Sequence, residues 1–414
     1  MKRIIGRINP LDRHVTIWGA GFSGLILGYF LKRNGYKITI YERTDKAGGK
    51  IHTKQTDFGL VETAAHALYL NADGLELLKE LKLDPMPAEK KLRRLLMIHG
   101  KPKRAFQLSV LAKMALNSRL KPPLISDGLT VAEFFRPLLG TEIVNQFLTP
   151  ALGGVYAVPA ESLHFKSIFD SAGRRTQFES YWEFIRLMIK EKKALPKIEI
   201  SGTVSFEGGM QALINRLADS LKPDIKFNHQ EPFRLKGNTV ICTDAHNAGI
   251  LTAELLPEIS QELSRIRYQE LSSVTVFLKR EIRSLNRAFG VLMPMTSDFN
   301  SIGVINNKAI FPANNSNVFS YTLIGRKKMS EEEIFHDLKL LTPEFVPEDI
   351  EHLENSHWDK AIPIYDLQRY LSVKKLHQIS SKHNNLAIFG NYVAGISLRE
   401  MILAAKNFAQ GQQE

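Results

Sequence analysis

Cysteine is nearly absent from this sequence. The 414 residues include one cysteine, Cys242, so no disulfide can form within the chain. Cys242 lies in the apolar run of residues 239–242, and we expect it to be buried. Because structural disulfides are typical of oxidising compartments, their absence is compatible with a reducing one. We therefore expect a cytoplasmic protein.

Long apolar segments are also missing. No run approaches the roughly 18 uninterrupted apolar residues that indicate a transmembrane helix. Residues 1–13 are basic, but they lack the apolar segment and the small-residue cleavage site of a secretory signal. Hydrophobic residues nevertheless make up 44% of the chain, enough for a large buried core. The length favours roughly two or three domains.

Acidic residues are too few to balance the basic ones. The formal net charge is +12, which favours an anionic partner such as an acidic substrate, an anionic lipid surface or a nucleic acid. Basic clusters lie at residues 90–94, 101–104 and 190–193. Neither an RNP-like pattern nor zinc-finger spacing accompanies them, so we expect no nucleic-acid partner. A solvated basic face is the alternative to an acidic substrate or a membrane surface.

Signatures of metal ligation and of side-chain catalysis are likewise missing. The twelve histidines show neither metal-ligand spacing nor catalytic-triad spacing. We therefore predict no metal site, and we assign no catalytic side chain.

What the sequence does contain is glycine at defined spacing, in residues 14–50. Gly19, Gly21 and Gly24 fit G-x-G-x-x-G between a predicted strand, residues 15–18, and a predicted helix, residues 22–34. In this pattern the first glycine permits a tight turn, the second admits a pyrophosphate and the third lets the helix pack on its strand. The helix N-terminus offers free N–H groups and a positive dipole end. We predict a dinucleotide site, with a simple glycine-rich turn as the alternative.

A second predicted strand, residues 36–41, leads to an acid. Glu42 follows Gly24 by 18 residues, close to the roughly 20-residue spacing at which an acid binds a dinucleotide ribose. Residues 43–50, R-T-D-K-A-G-G-K, follow at once and bring a second glycine pair. A polar turn with a solvated lysine is the alternative interpretation of this segment.

Both ends of the chain resemble a known family. Residues 42–50 are similar to the E-R-x-x-x-x-G-G-R segment of the FAD-dependent amine oxidase superfamily, with Lys50 at the position of the usual arginine. Residues 390–397, G-N-Y-V-A-G-I-S, resemble the protoporphyrinogen oxidase family within that superfamily. A helix N-terminus at residues 395–397 would point its dipole at the N1–C2=O edge of a flavin. The resemblance implies FAD as the cofactor. The FAD-binding residues that it implies are Gly19, Ala20, Gly21, Phe22, Ser23, Gly24, Glu42, Arg43, Gly48, Gly49, Lys50, Ala65, His66, Gly390, Gly395, Ile396 and Ser397.

Pieces of the middle of the chain resemble the same family. They are residues 94–101, 130–136, 148–157, 289–294 and 358–365. The chain departs from the family's pattern at Gly153, Gln230 and Asp366.

The resemblance implies three substrate-binding residues. Arg94 would bind a propionate of a tetrapyrrole, Gly154 would lie against the macrocycle, and Phe289 would stack on a pyrrole ring. A planar guanidinium on an apolar wall suits a carboxylate on a largely apolar ligand. A surface arginine, a turn glycine and a core phenylalanine are the alternatives.

The fold that the resemblance implies is α/β, with a Rossmann-like FAD-binding domain, a mixed-sheet substrate domain and a helical insertion. We assign residues 13–83, 202–265 and 366–414 to the FAD-binding domain. Residues 84–201 are expected to form a largely helical, basic insertion that faces substrate and membrane. Residues 266–365 are expected to form the substrate sheet.

The function that the resemblance implies is oxidation of a porphyrinogen to a porphyrin in haem biosynthesis, by hydride transfer to flavin N5. The substrate would be an anionic tetrapyrrole, either protoporphyrinogen or coproporphyrinogen, and the insertion would contact the inner face of an anionic membrane peripherally. An amine oxidase, a carotenoid-type desaturase and a non-catalytic flavin or porphyrin carrier are the alternatives. The sequence indicates neither the electron acceptor nor the oligomeric state.

Overall fold

The computed structural model describes residues 3–89, 92–104, 108–196, 198–295, 298–311 and 318–411. Lys90 and Lys91 of the first basic cluster lie outside the described residues. The described residues form eighteen strands and sixteen α-helices, joined by short 3₁₀ and π segments.

The strands, numbered in chain order, are β1 (Ile5–Arg7), β2 (His14–Trp18), β3 (Lys37–Tyr41), β4 (Thr53–Thr56), β5 (Gly59–Glu62), β6 (Leu68–Leu70), β7 (Met86–Pro87), β8 (Arg93–Ile98), β9 (Lys101–Arg104), β10 (Gly202–Ser205), β11 (Ile225–Lys226), β12 (Asn238–Ile241), β13 (Tyr268–Leu278), β14 (Ala288–Leu292), β15 (Ser301–Asn306), β16 (Phe319–Gly325), β17 (Ile350–Pro363) and β18 (Leu386–Ile388). The helices are α1 (Phe22–Arg33), α2 (Ala72–Glu80), α3 (Leu108–Asn117), α4 (Val131–Leu139), α5 (Thr141–Ile143), α6 (Thr149–Tyr156), α7 (Phe165–Ile168), α8 (Asp170–Gly173), α9 (Tyr181–Ala194), α10 (Gln211–Leu221), α11 (Ala245–Thr252), α12 (Pro257–Ser264), α13 (Glu331–Leu341), α14 (Leu367–Ser380), α15 (Asn391–Ala394) and α16 (Leu398–Ala409).

A six-stranded sheet holds the predicted dinucleotide site, in the order β1-β18-β12-β2-β3-β11. Its strands are parallel except for β1, which runs antiparallel to β18. α1, α10 and α16 share one core with this sheet, through residues such as Leu25, Leu217 and Ile402. α12 and α14 share a second core with it, through Ile259 and Leu376. Two cores on one mostly parallel sheet are typical of a Rossmann-like arrangement, so the predicted α/β fold class is confirmed.

The first helix lies close to its predicted position. α1 ends at Arg33, one residue earlier than predicted, because Asn34 caps it and Gly35 takes the left-handed conformation at φ +81°. Leu25, Ile26 and Leu27 are all buried although they are consecutive, since both α10 and α16 contact this helix.

A seven-stranded sheet forms the second layer, in the order β17-β13-β16-β15-β14-β8-β9. All neighbouring strands are antiparallel except β8 and β14. Successive side chains of a strand point to opposite faces. One face packs on α13 through residues such as Val274, Val291 and Leu323. The other face is turned toward the segment after β5, because Trp358 Nε1 donates to the carbonyl of Thr63 at 2.9 Å.

The region expected to be helical, residues 84–201, begins differently. It opens with β7, β8 and β9, and β8 and β9 join the seven-stranded sheet. Leu95 and Met97 of β8 lie in the core of that sheet, so the apolar run of residues 95–98 is used as a strand with two buried faces. Helices follow only from α3 onward.

The helical part has a core of its own. Phe134 of α4 lies 4.2 Å from Phe165 and 4.9 Å from Phe184, measured between ring centroids. The Tyr181 hydroxyl donates to the carbonyl of Phe134, which ties α9 to α4. Within the described ranges, no helix has the length and apolar character needed to cross a bilayer.

Candidate active site at the flavin-binding loops

Two glycine-rich loops meet where β2 turns into α1. Gly21 forms an isolated backbone bridge with Gly48, and a methyl group added at Gly49 would lie 3.2 Å from the Gly21 Cα. A methyl group at Gly24 would lie only 1.9 Å from the Gly19 carbonyl oxygen. α1 can therefore approach β2 this closely only because residue 24 has no side chain.

The N-terminus of α1 is open to an anion. Among the described residues, no side chain caps Gly21, and the first turn of the helix contains no acid. The amides of Phe22, Ser23 and Gly24 are therefore the orphan donors of a helix start, at the positive end of the helix dipole. This arrangement fits a pyrophosphate.

Glu42 lies beside this helix start, directly after β3. Its Oε2 accepts from the amide of Ala20 at 2.8 Å, and its Oε1 accepts from the amide of Thr44 at 2.9 Å. These bonds hold the carboxylate against the glycine loop and leave lone pairs that can accept from ribose hydroxyls. Arg43 is exposed. The free amides at the start of α1 and the glycine loops fit the pyrophosphate of FAD, and the Glu42 carboxylate fits its ribose.

The second predicted helix N-terminus differs from the first. Gly395 takes φ +121°, and a methyl group there would lie 2.5 Å from Glu400 Oε2. The Ser397 hydroxyl accepts from the Glu400 amide at 3.3 Å, while the Glu400 carboxylate accepts from the Ser397 amide at 3.3 Å. This capping box places a carboxylate at the start of α16, which offsets part of the dipole that the sequence predicts to act on a flavin. Ile396 packs against the core of the helical region.

A buried arginine, Arg369, contacts the turn that begins at Gly390 and stabilises it. Arg369 is 6% exposed, and its Nε donates to the carbonyl of Tyr392 at 2.8 Å. Its guanidinium carbon lies 3.8 Å from the centroid of the Tyr365 ring, and the Tyr365 hydroxyl donates to the carbonyl of Asn391. The segment after Tyr365, where the chain departs from the family's pattern, therefore fixes this turn.

Lys50 joins the second glycine loop to β17. Its ammonium group donates to the carbonyls of Lys360 and Ala361 and lies 5.3 Å from the centroid of the Tyr268 ring. Burial lowers the pKa of Lys50, and the charge of Asp244 opposes that shift. The lysine that stands in place of the family's arginine thus binds backbone carbonyls across the boundary between the two sheets.

His66 is held neutral between the two sheets. The Ser273 hydroxyl donates to the carbonyl of Glu62 at 3.0 Å, so His66 Nε2, which lies 3.2 Å from Ser273 Oγ, is the donor of their bond. Burial lowers the pKa of His66 to about 4. The neighbouring Ala65 packs against the core of the six-stranded sheet. These residues therefore present an uncharged surface at pH 7.

Glu62 is a site residue that the sequence prediction omits. It is 2% exposed, its Oε1 accepts from the amide of Met210 at 2.7 Å, and its Oε2 accepts from the hydroxyl of Thr53 at 2.9 Å. Burial raises its pKa to about 7, although both hydrogen bonds oppose the shift. Glu62 ties β5 to the start of α10. Its signal in the sequence is an acid that directly follows the apolar pair of residues 60–61.

Arg94, Phe289 and Gly154 lie on or against the seven-stranded sheet. The Arg94 guanidinium carbon is 5.5 Å from the centroid of the Phe289 ring, and its Nη2 donates to the hydroxyl of Thr203 at 3.3 Å. A methyl group at Gly154 would lie 2.7 Å from Leu292 Cδ2, so α6 packs on the sheet at this glycine. The structure thus brings α6, β8 and β14 together at one place.

One face of the sheet carries these groups. Arg94 pairs with Gly290, and Leu96 pairs with Leu292 two register positions further along. Because Leu95 lies in the core against α13, Arg94 and Leu96 point to the opposite face, the one that α6 covers. This face has an apolar floor with a cation at its margin.

A cluster of aromatic rings near Glu42 is a second feature that the sequence does not reveal. Tyr41 stacks on His229 with ring centroids 3.9 Å apart, and Trp18 lies 5.0 Å from Tyr41. His229 directly precedes Gln230, one of the departures from the family's pattern. The three rings come from β2, β3 and the loop after β11, so no local pattern could have joined them.

One group of potential metal ligands occurs in the described part of the chain. Glu270, His357 and Asp359 place one ligand atom each within 4.8 Å of one another. His357 Nε2 lies 3.0 Å from Asp359 Oδ1. The sequence spacing gives no sign of this group, because Glu270 belongs to a neighbouring strand.

Comparison with known proteins agrees with this geometry. Residues 17–81 match the model of an NAD(P)-binding Rossmann-like domain, and residues 62–231 match that of the flavin containing amine oxidoreductases. Protoporphyrinogen oxidase 2 of Arabidopsis thaliana is 27% identical, over 94% of this chain and 92% of its own length. Coproporphyrinogen III oxidase of Bacillus subtilis is 22% identical, over 94% of this chain and 96% of its own length.

Solved structures show the same fold. A structure from Exiguobacterium sp. 255-15, provisionally named protoporphyrinogen oxidase, matches with a TM-score of 0.75 at 16% identity, over 98% of this chain and 99% of that one. Cyclohexylamine oxidase of Brevibacterium oxydans matches with a TM-score of 0.68 at 14% identity, over 97% and 98%. The chain is therefore an FAD-dependent oxidoreductase that is similar in residues 62–231 to the flavin containing amine oxidoreductases, and along almost its whole length to protoporphyrinogen and coproporphyrinogen III oxidases.

Proposed function

We propose that this oxidoreductase converts a porphyrinogen to a porphyrin, as a step of haem biosynthesis. The observation that carries the proposal is the position of Arg94 over the Phe289 ring, at the margin of the apolar sheet face. A planar, largely apolar ligand with carboxylates needs such a combination, because the guanidinium binds a carboxylate while the rest of the ligand lies on the apolar floor. The relatives named above act on porphyrinogens by their names.

The residues of the chain position the substrate and the cofactor. When bound, FAD supplies the oxidation, with flavin N5 as the hydride acceptor. The glycine loops and Glu42 would hold its pyrophosphate and ribose, and Arg94 would turn from Thr203 to a propionate. Leu96 and Leu292 would form the apolar floor beneath the macrocycle. We assign no side chain as a general base, so pyrrole protons would leave to solvent.

The test is turnover by the purified, FAD-loaded protein. Protoporphyrinogen and coproporphyrinogen are each added under air, and porphyrin fluorescence is followed against autoxidation. We expect a faster rise with one of the two substrates. Arg94→Ala should lower kcat/KM about 10- to 100-fold, the loss of one charge-assisted carboxylate contact, without changing FAD content. Arg93→Ala is the matched control, because Arg93 directly precedes Arg94 in β8 and its side chain points to the other face of the sheet. No rise above autoxidation with either substrate contradicts the proposal.

We also propose that the helical region rests on an anionic membrane surface. Leu108, Leu116 and Leu124 are 84%, 76% and 63% exposed, and Trp182 is 52% exposed. The amide of Trp182 donates to the carbonyl of Ser118, which brings α9 next to the end of α3. The exposed residues Lys113, Arg119 and Lys121 lie in the same part of the chain, and their charge favours anionic lipid.

Sedimentation with vesicles tests this membrane contact. The protein should sediment with phosphatidylglycerol vesicles in low salt and less in high salt, because the contact is partly electrostatic. Leu108→Ser together with Leu116→Ser should abolish sedimentation. Equal sedimentation of the wild type and the double variant would contradict the contact.

A further inference from the structure

A cavity of about 410 Å³ lies at the end of the seven-stranded sheet, where β14 ends and β15 begins. Its lining includes Pro294, Met295, Ser301 and Arg326. Both apolar and polar residues line it. None of these residues belongs to the flavin loops or to the Arg94 contact.

Two donors at this cavity lack a hydrogen-bond partner in the described part of the chain. Ser301 is 2% exposed, and its hydroxyl bonds to nothing. Arg326 Nε is buried and equally unpaired, and among the described residues Arg326 takes part in no ion pair. Buried donors of this kind cost free energy unless a ligand or water satisfies them. They therefore indicate a site for an acceptor.

Charged residues of both signs line the cavity. Lys327 also lines it, but its ammonium group is bound to Glu333. Glu270 lines it too, with its carboxylate 3.7 Å from His357 Nε2. His357 lies nearer to Asp359, at 3.0 Å, and can balance a carboxylate only when it is protonated, so the Glu270 carboxylate stays in the cavity. The guanidinium of Arg326 lies in the same lining and takes part in no ion pair among the described residues. A planar guanidinium with an adjacent hydroxyl donor suits a carboxylate.

The cavity adjoins the apolar face described above. A methyl group at Gly153 would lie 2.8 Å from Met295 Cε, so Met295 separates the cavity from α6. Gly153 is the neighbour of Gly154, which packs on Leu292 of the same sheet face. A ligand lying on that face could therefore extend one substituent past Met295 into the cavity.

We propose that this cavity binds a carboxylate of the tetrapyrrole at the edge opposite to the one bound by Arg94. This inference rests on the proposed porphyrinogen oxidation. Pro294 lies about 13 Å along β14 from Gly290, the partner of Arg94, at about 3.3 Å per residue. β16, which leads to Arg326, is three strand spacings from β8, or about 14 Å. The two arginines are thus roughly 19 Å apart at the backbone.

The separation selects between the two candidate substrates. Protoporphyrinogen carries its two propionates on neighbouring pyrroles, so both lie at one edge of the macrocycle. Coproporphyrinogen carries one propionate on each of its four pyrroles, so it presents carboxylates at opposite edges. Two arginines on opposite sides of the sheet face therefore fit coproporphyrinogen, and the substrate class is a tetracarboxylate.

The experiment measures binding of the two stable porphyrin products to the FAD-loaded protein. Coproporphyrin III and protoporphyrin IX are titrated while the Soret band is followed. The wild type should bind coproporphyrin III more tightly. Arg326→Gln should weaken coproporphyrin III binding about tenfold, the loss of one charge-assisted contact, and change protoporphyrin IX binding less than twofold. Ser301→Ala, which removes only the hydroxyl, should weaken coproporphyrin III binding about threefold.

Lys308→Gln is the charge-matched control, since it removes a cation at the opposite end of β15. It should leave both affinities unchanged, and FAD content with thermal unfolding checks that each variant is folded. If Arg326→Gln and Ser301→Ala leave coproporphyrin III binding unchanged, or weaken both porphyrins equally, the carboxylate site is wrong while the proposed function stands. If the FAD-loaded wild type turns over neither porphyrinogen above autoxidation, the proposed function fails, and this site fails with it.

Discussion

The flavin loops and the sheet face both depend on glycine at a close approach, but the atoms that are approached differ. At Gly24 the facing atom is a backbone carbonyl oxygen, which cannot move without unfolding β2 or α1. At Gly154 the facing atom is the end of the Leu292 side chain, which can change rotamer. The close approach at Gly24 is thus built from backbone, whereas the sheet face at Gly154 is built from side chains that can be exchanged. We therefore expect substitutions at Gly24 to disturb the fold more than substitutions at Gly154.

The largest effect that this comparison predicts comes from Gly24→Ala. The added methyl group would meet the Gly19 carbonyl oxygen at 1.9 Å, so α1 must move off β2. We expect a loss of unfolding free energy on the order of 4 kcal/mol and loss of bound FAD. Thermal unfolding and the flavin absorbance of the purified protein measure both. Gly128→Ala is the control, because nothing lies within 4 Å of its added methyl group. If the Gly24→Ala protein is as stable as the wild type and keeps its FAD, the backbone contact at Gly24 is no more rigid than the side-chain contact at Gly154.

A second prediction concerns the pH dependence of stability, which we expect to follow the titration of the buried Glu62. Burial raises the pKa of Glu62 from 4.5 to about 7. As the pH rises, the folded state therefore keeps a proton that the unfolded state has already lost at about pH 4.5. The stability due to this proton is complete below about pH 4.5 and is lost as the pH rises through about 7. Linkage puts the loss at about 3 kcal/mol.

Glu62→Gln tests this pH dependence because it removes the titration. Unfolding by denaturant should show the wild type losing stability relative to Glu62→Gln between pH 4.5 and about 7, and no further above that range. Glu207→Gln, at an exposed acid in the loop between β10 and α10, is the control. A constant difference between wild type and Glu62→Gln across this range would show that Glu62 does not titrate there.

The smallest effect should come from Gly154→Ala. The new methyl group would meet Leu292 Cδ2 at 2.7 Å, and moving that side chain costs some packing energy. Replacing glycine by alanine inside α6 returns part of this cost through helix propensity. We expect a change in unfolding free energy within about 1 kcal/mol and unchanged FAD content. A loss of unfolding free energy as large as that of Gly24→Ala would mean that the sheet face at Gly154 is as rigid as the loop at Gly24.

Some features of the fold and of the site can be predicted from the sequence alone. The ends of α1 and β3, and the place of Glu42, follow from local patterns of glycine, apolar residues and spacing. These features depend on contacts between residues that are near one another in the chain.

Other features depend on residues far apart in the chain, so local patterns could not predict them. The strand at Arg93–Ile98 is stabilised by pairing with β14, almost 200 residues later, and residues 95–98 alone fit a buried helix equally well. The position of Arg369 behind the flavin turn depends on α14 packing beside α15. The orphan donors at Ser301 and Arg326 are visible only once β15 and β16 are paired.

The order of strands in the six-stranded sheet also has a consequence for biosynthesis. β18 lies between β1 and β12, so a strand from the last part of the chain fills the gap between two earlier ones. Until residues 386–388 have left the ribosome, β12 has an unpaired edge and the turn at Gly390 does not exist. Pairings between such distant segments are slow steps of folding. Flavin capture is therefore a late event, and a nascent chain stalled before β18 exposes a sheet edge that chaperones must protect.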